Sequence, residues 1–109
     1  MANTFKNSIS SSLGTTETTV YTATGVTATV IGVAVSNVLT SSINVDVKMY
    51  DNSASKNAFL IKNALIPASS NLILVGGEQK LVLEPSDYLT VSSSLNNSTD
   101  IIVSVLEIS

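Results

Sequence analysis

Glu84 and Asp87 flank a proline in the stretch LVLEPSDYLTVSSS, with Glu78 just upstream and Asp100 beyond the next segment. Two carboxylates can divide acid and base work when they face each other across a cleft about 5–9.5 Å wide. One of them must then keep its proton, which takes an apolar or like-charged neighbourhood. Here a bend accounts for the same residues. Pro85 presets the first corner of a turn, and an aspartate two residues later can accept hydrogen bonds from nearby amides. A second oxygen-rich run, YDNSASKN, offers Asp51, Asn52 and Ser53 as cation ligands. It lacks the spaced Asp/Asn and glycine of a calcium loop, so a turn is again the simpler reading.

Composition narrows the chemistry further. The chain of 109 residues has no histidine, cysteine, tryptophan or arginine. Without histidine the usual serine triad cannot be built, and no G-x-S-x-G elbow is present. Without cysteine there are no disulfides and no thiolate metal sites. Gly76 and Gly77 are not followed by the Lys-Ser/Thr of a phosphate loop and read as a hairpin turn. Five lysines against eight acids give a net charge of −3, with no basic cluster for a phosphate backbone. Catalysis, cofactor binding, a metal centre and nucleic acid are therefore not expected.

At 44% hydrophobic residues the chain is too apolar for a disordered segment. No apolar run approaches the roughly 18 residues of a membrane helix. The opening MANTFKNSISSSLG carries no apolar core of a secretory signal, so neither export nor a membrane location is expected. Surface polarity comes mainly from Ser, Thr and Asn, which repel little and suit a protein packed against others.

The elements that must position any site are strands. INVDVKMYD alternates strictly, with Ile43, Val45, Val47 and Met49 on one face and Asn44, Asp46, Lys48 and Tyr50 on the other. TATVIGVAVSNV continues the alternation, which places Ile31, Val33 and Val35 on one face and Val30, Gly32 and Ala34 on the other. Further strands are expected at 18–24, 57–66, 71–75, 79–83, 88–93 and 100–108, separated by turn residues at short intervals. About eight short strands at this spacing predict a single antiparallel β-sandwich, jelly-roll or immunoglobulin-like, over residues 18–109. Residues 1–17 read as an extended N-terminal arm, flexible in isolation. Its Phe5, Ile9 and Leu13 recur every four residues, as partner anchors on a short helix or as spaced knobs. Tyr50, predicted outward-facing, is the aromatic most available to a partner.

The order TVYTATGVTATVIGVAVSNV, INVDVKMYD, FLIKNALIPASSNLIL, KLVLEPSDYLTVSSS and DIIVSVLEIS resembles the small all-β virion proteins of tailed bacteriophages, found as capsid decoration proteins or as neck and tail accessories. In that family the corner reads LEPGD, where this chain has Ser86, and the turn at TATG departs from the usual form. The resemblance spans residues 18–109. It implies a non-enzymatic virion structural protein, most simply a capsid decoration (cement) protein, assembled in the host cytoplasm. Its implied partners are itself, as a homotrimer, and the major capsid protein or other virion proteins. A neck, tail or fibre accessory and a glycan-binding adhesin module are the alternatives.

Overall fold

The computed structural model describes residues 3–75 and 80–108. Its nine strands are β1 (Asn3–Leu13), β2 (Thr18–Thr22), β3 (Thr27–Asn37), β4 (Ile43–Asp51), β5 (Lys56–Ile66), β6 (Asn71–Val75), β7 (Leu81–Leu83), β8 (Tyr88–Ser93) and β9 (Thr99–Ile108). The first sheet runs β1-β9-β3-β6, with β7 also paired to β3; the second runs β2-β8-β4-β5. All pairings are antiparallel. This order, in which the chain passes repeatedly between a five-stranded and a four-stranded layer, is that of a jelly roll rather than an immunoglobulin sandwich.

β4 forms for the reason its sequence suggests. Ile43, Val45 and Val47 are buried, and the intervening Asn44, Asp46 and Lys48 are on the opposite face. β-Branched side chains at alternate positions fill the gap between two pleated layers. The same holds for Leu89 and Val91 on β8 and for Ile101, Val103 and Val105 on β9, all at most 1% exposed.

β3 departs from simple alternation. Val30 pairs with Val105 and Gly32 with Ser104, so Ile31 is an extra residue in a bulge. The bulge resets the faces: Val30, Val33 and Val35 are all buried, while Gly32 and Ala34 face outward. The expected grouping of Ile31 with Val33 and Val35 is corrected accordingly, because one inserted residue flips every side chain beyond it.

The N-terminal segment is extended and belongs to the sandwich. β1 pairs with β9 from Asn3↔Ile108 to Ser10↔Ile101, then bulges before Leu13↔Thr99. No helix forms there. The inward face of β1 carries hydroxyls, and Ser8 Oγ donates to Val20 O of β2 at 2.6 Å. Tyr21 Oη donates to Glu107 Oε2 at 2.6 Å, and Lys6 Nζ lies 3.1 Å from Glu107 Oε1, so β1, β2 and β9 are joined near one end.

Buried polar groups are satisfied where they occur. Asn37 Nδ2 donates toward the carbonyls of Ser41, Ile66 and Pro67, and its Oδ1 accepts from Leu39 N. One side chain thus holds the β3–β4 and β5–β6 connections together. At the same end of the molecule Ser93, Ser98 and Thr99 share buried hydroxyl bonds of 2.7 and 2.9 Å. The expected hairpin turn at Gly76–Gly77 falls outside the described residues.

Candidate functional site

The two acidic runs singled out in sequence meet in space. Tyr50 of β4 pairs with Tyr88 of β8 in antiparallel register. The residue after Tyr50 therefore comes beside the residue before Tyr88, and Asp51 approaches Asp87. With Glu84 they form a cluster in which one carboxylate oxygen from each residue lies within 4.8 Å of the others. Sequence reading treated Asp51 and the Glu84–Asp87 corner as separate loops, since only strand register brings them together.

Asp87 is 1% exposed, and both of its oxygens are committed. Oδ1 accepts from Asn52 N and Oδ2 from Glu84 N, each at 2.9 Å. Its own backbone amide donates to Glu84 O, and its carbonyl accepts from Ala23 N. Ser86, at φ 78°, takes the left-handed corner and donates its amide to Ala23 O at 2.7 Å. Asp51 Oδ1 accepts from Ser53 N, Ser53 Oγ and Ala54 N. Those bonds, the Ser53 hydroxyl first, hold the Asp51 carboxyl below the usual aspartate range. Ser53 and Lys56 have the S-x-x-K spacing of a serine–lysine hydrolase, but this serine spends its proton on Asp51 at 2.8 Å within a hairpin. The corner thus ties the ends of β2, β4 and β7 to β8 through acceptors already engaged by amides.

At the opposite end, a cavity of about 330 Å³ opens between the end of β1 and the β8–β9 loop, lined by Ser12, Gly14, Thr16, Thr18, Asn96 and Asn97 among others. Its lining holds no titratable group, so it offers hydrogen bonds but no proton transfer. Gly14 permits the close approach: a Cβ there would lie 2.4 Å from Asn96 Oδ1 and 3.0 Å from Asn96 Cα.

The outer faces of the two sheets differ sharply in chemistry. On the second sheet, Lys48 pairs with Glu17 at 2.9 Å, and Glu17 accepts from Thr90 Oγ1 at 2.8 Å. Lys48 and Lys62 both lie over the Phe59 ring, at 5.6 and 4.4 Å from its centre. Tyr50 and Tyr88 stack with ring centres 5.0 Å apart. This face is mixed: its charges and rings are largely engaged with one another, and its exposed apolar side chains, Phe59 under the two lysines and Leu65 opposite Asn44, lie on β5 at the edge of the sheet. Tyr50 does face outward, half-buried against its neighbour.

The first sheet presents the reverse. Register places Ile9, Ile102, Ala34 and Ile73 side by side across β1, β9, β3 and β6. A second row sets Phe5, Leu106, Thr29 and Val82 across β1, β9, β3 and β7. Between them lies a row of short side chains, Asn7, Ser104 and Gly32. A shallow cavity of about 240 Å³ there is lined by Phe5, Lys6, Asn7, Ile31, Ser104 and Val105. Phe5, Ile9, Ile73, Val82 and Ile102 are between 46% and 74% exposed. Charged residues described at this face lie at its margins: Asp100, whose Oδ1 accepts from Ser12 N, Lys80, two residues before Val82, and Lys6, beside the cavity and paired to Glu107.

Of the four residues read as partner contacts, Phe5 and Ile9 stand on this apolar face. Leu13 is turned by the β1 bulge to the margin of the core, and Tyr50 lies on the other sheet. Sequence reading missed Ile73, Val82 and Ile102, each of which looked like an ordinary member of an alternating strand. An apolar residue on the outward phase is visible only once burial identifies the inward one.

No protein-family model matches the chain, and no curated protein matches it. Among solved structures it is similar to one described by the words "Bacillus endospore appendages form a novel family of disulfide-linked pili", with a TM-score of 0.48 and 11% identity over 99% of this chain and 88% of that one. A likeness at that level says nothing of function, and the fold is established here by the strand pairing itself.

Proposed function

We propose that this chain is a non-enzymatic structural subunit of a tailed-bacteriophage virion, a decoration protein that docks on the coat lattice through the outer face of its first sheet. The observation that carries the docking reading is the contrast between the two faces. Four strands about 4.8 Å apart, over some seven residues at about 3.4 Å each, give a footprint on the order of 500 Å², with two mainly apolar rows on either side of a short polar one. That footprint is more than half of the roughly 800 Å² one partner gives to a stable interface. Being nearly free of charge, the face matches a flat, uncharged, apolar surface and disfavours a charged one, whose groups would lose water without gaining partners. The assignment to a virion comes from the sequence resemblance and not from the fold, which many unrelated functions share.

The test is a census of particles. Quantitative mass spectrometry of purified virions that encode the chain is expected to find it in hundreds of copies, and purified protein is expected to co-sediment with capsids lacking it. A handful of copies would move the assignment to the neck or tail, and absence from the particle would end it.

A further inference from the structure

We propose that the free edge of β1 is a pairing edge for a second copy of this chain, antiparallel and centred on Asn7. The inference deepens the reading of a self-assembling subunit and rests on it only for the expectation that copies meet.

A sheet edge exposes unpaired amides and carbonyls, and proteins usually blunt it. Three of the four edges here are blunted. β5 is guarded by Lys56 and Lys62, and its ladder with β4 is broken by register shifts near Asn63, which has φ 56°. β2 spans five residues and carries its own register shift. The edge beyond β3 is divided between β6 and β7. β1 is different. It runs eleven residues without proline, regular from Asn3 to Ser10, and its one charged residue, Lys6, is paired within its own chain to Glu107.

The register follows from the side chains. Because strand side chains alternate, only pairings that place Asn3, Phe5, Asn7 and Ile9 against members of the same set keep outer face on outer face. Centring on Lys6 would oppose two like charges. Centring on Phe5 or on Ile9 would pair one exposed apolar residue with itself and leave the other unmatched. Centring on Asn7 sets Phe5 against Ile9 of the second copy and Ile9 against its Phe5, and sets Lys6 against Ser8. Both apolar side chains are then covered, and no like charges face each other. The two first sheets become one continuous sheet with a single apolar outer face whose charges lie at its margins. This arrangement has a two-fold axis, so at this edge it replaces the homotrimer that the resemblance implies.

The chain lacks cysteine, so single cysteines report directly. A short bismaleimide crosslinker is expected to convert Asn7→Cys to dimer rapidly. Ser11→Cys, on the same strand but about 27 Å from its counterpart in this register, is expected to remain monomeric. Mixing Asn3→Cys with Ser11→Cys is expected to give heterodimer. Ile9→Lys, at an exposed position, is expected to lower the Asn7→Cys yield at least tenfold while the melting temperature is kept. Equal crosslinking at positions 7 and 11, or no crosslinking at position 7 in a protein that sediments as an oligomer, would overturn the pairing. A crosslinked dimer that fails to bind capsids would leave this inference standing and remove the virion assignment; capsid binding by a protein that never crosslinks at position 7 would do the reverse.

Discussion

Asp87 accepts a hydrogen bond from Asn52 across the molecule's acidic corner, 2.9 Å from carboxylate to amide, and with its other oxygen accepts from Glu84 at the same distance. Two orphan amides, one on the β4–β5 hairpin and one at the β7–β8 corner, thus depend on a single buried carboxylate. Asp87→Ala leaves both without an acceptor and is expected to cost about 3 kcal/mol. Asp87→Asn keeps one acceptor but turns an N–H toward the other amide, at about 2 kcal/mol. The check is urea unfolding in calcium and in EDTA. A corner that serves architecture gives the same loss in both, whereas a working cation site would show a calcium-dependent midpoint in the unmutated protein that Asp87→Asn abolishes.

The neighbouring Ser86 holds a left-handed conformation, φ 78°, with its side chain exposed. A β-carbon there costs roughly 1–2 kcal/mol relative to glycine. Glycine gives back about 0.5–1 kcal/mol through the greater freedom of its unfolded chain. Ser86→Gly is therefore expected to stabilise by about 0.5 kcal/mol, a rise of roughly 2–4 °C in melting temperature. Ser86→Ala keeps the β-carbon and is expected to leave the midpoint near its original value. Differential scanning calorimetry resolves the two.

Acid and alkaline limits follow from Tyr21 and Glu107. The Tyr21 hydroxyl, and after it Lys6, hold the Glu107 carboxyl below the usual glutamate range. Burial first, then Glu107, pushes the Tyr21 hydroxyl well above its ordinary value near 10. As pH falls below the ordinary glutamate range the unfolded chain takes up a proton before the native one does, so stability declines through the native carboxyl's lower value. Above about pH 10 the unfolded tyrosine loses its proton while the native one keeps it, so stability declines again. Glu17, held low by Lys48 and then Thr90, adds to the acid limb; its side chain is half exposed, so solvent screens that share. Tyr21→Phe is expected to flatten the alkaline limb and weaken the acid one, and Glu107→Gln to flatten the acid limb. Urea midpoints between pH 3 and 11 measure both.

What sequence could reveal depended on whether a strand's apolar residues point inward. INVDVKMYD declared both its strand and its faces because Ile43, Val45 and Val47 are buried and their neighbours are not. β1 inverts that rule. Its inner face is Thr4, Lys6, Ser8 and Ser10, serving β2 and Glu107, and its apolar Phe5 and Ile9 face out, so a period-two strand looked like a loose arm with helically spaced anchors. β3 concealed its bulge because Ile31 stands among residues that are apolar on both faces. The acidic corner was legible as two turns and not as one cluster, since residues 51 and 87 meet through β4–β8 register, which no local pattern encodes.

The contrast between the two outer faces gives the most direct functional prediction. Ile102 is central in the apolar row between Ile9 and Ala34, and its side chain is 46% exposed. Ile102→Lys can lay its aliphatic stem across that row and lift its ammonium into water, so the fold is expected to lose less than about 1 kcal/mol. Docked against an uncharged surface, the same ammonium would be stripped of water with no acid to meet it. Ser92→Lys introduces the same charge on the outer face of the second sheet, opposite Asp46. Co-sedimentation with capsids lacking the protein is expected to show at least a tenfold loss for Ile102→Lys and none for Ser92→Lys, with both melting near the parent. Equal losses at the two positions would mean that the first-sheet face is not the docking surface, since Ser92 lies on the other sheet, opposite Asp46.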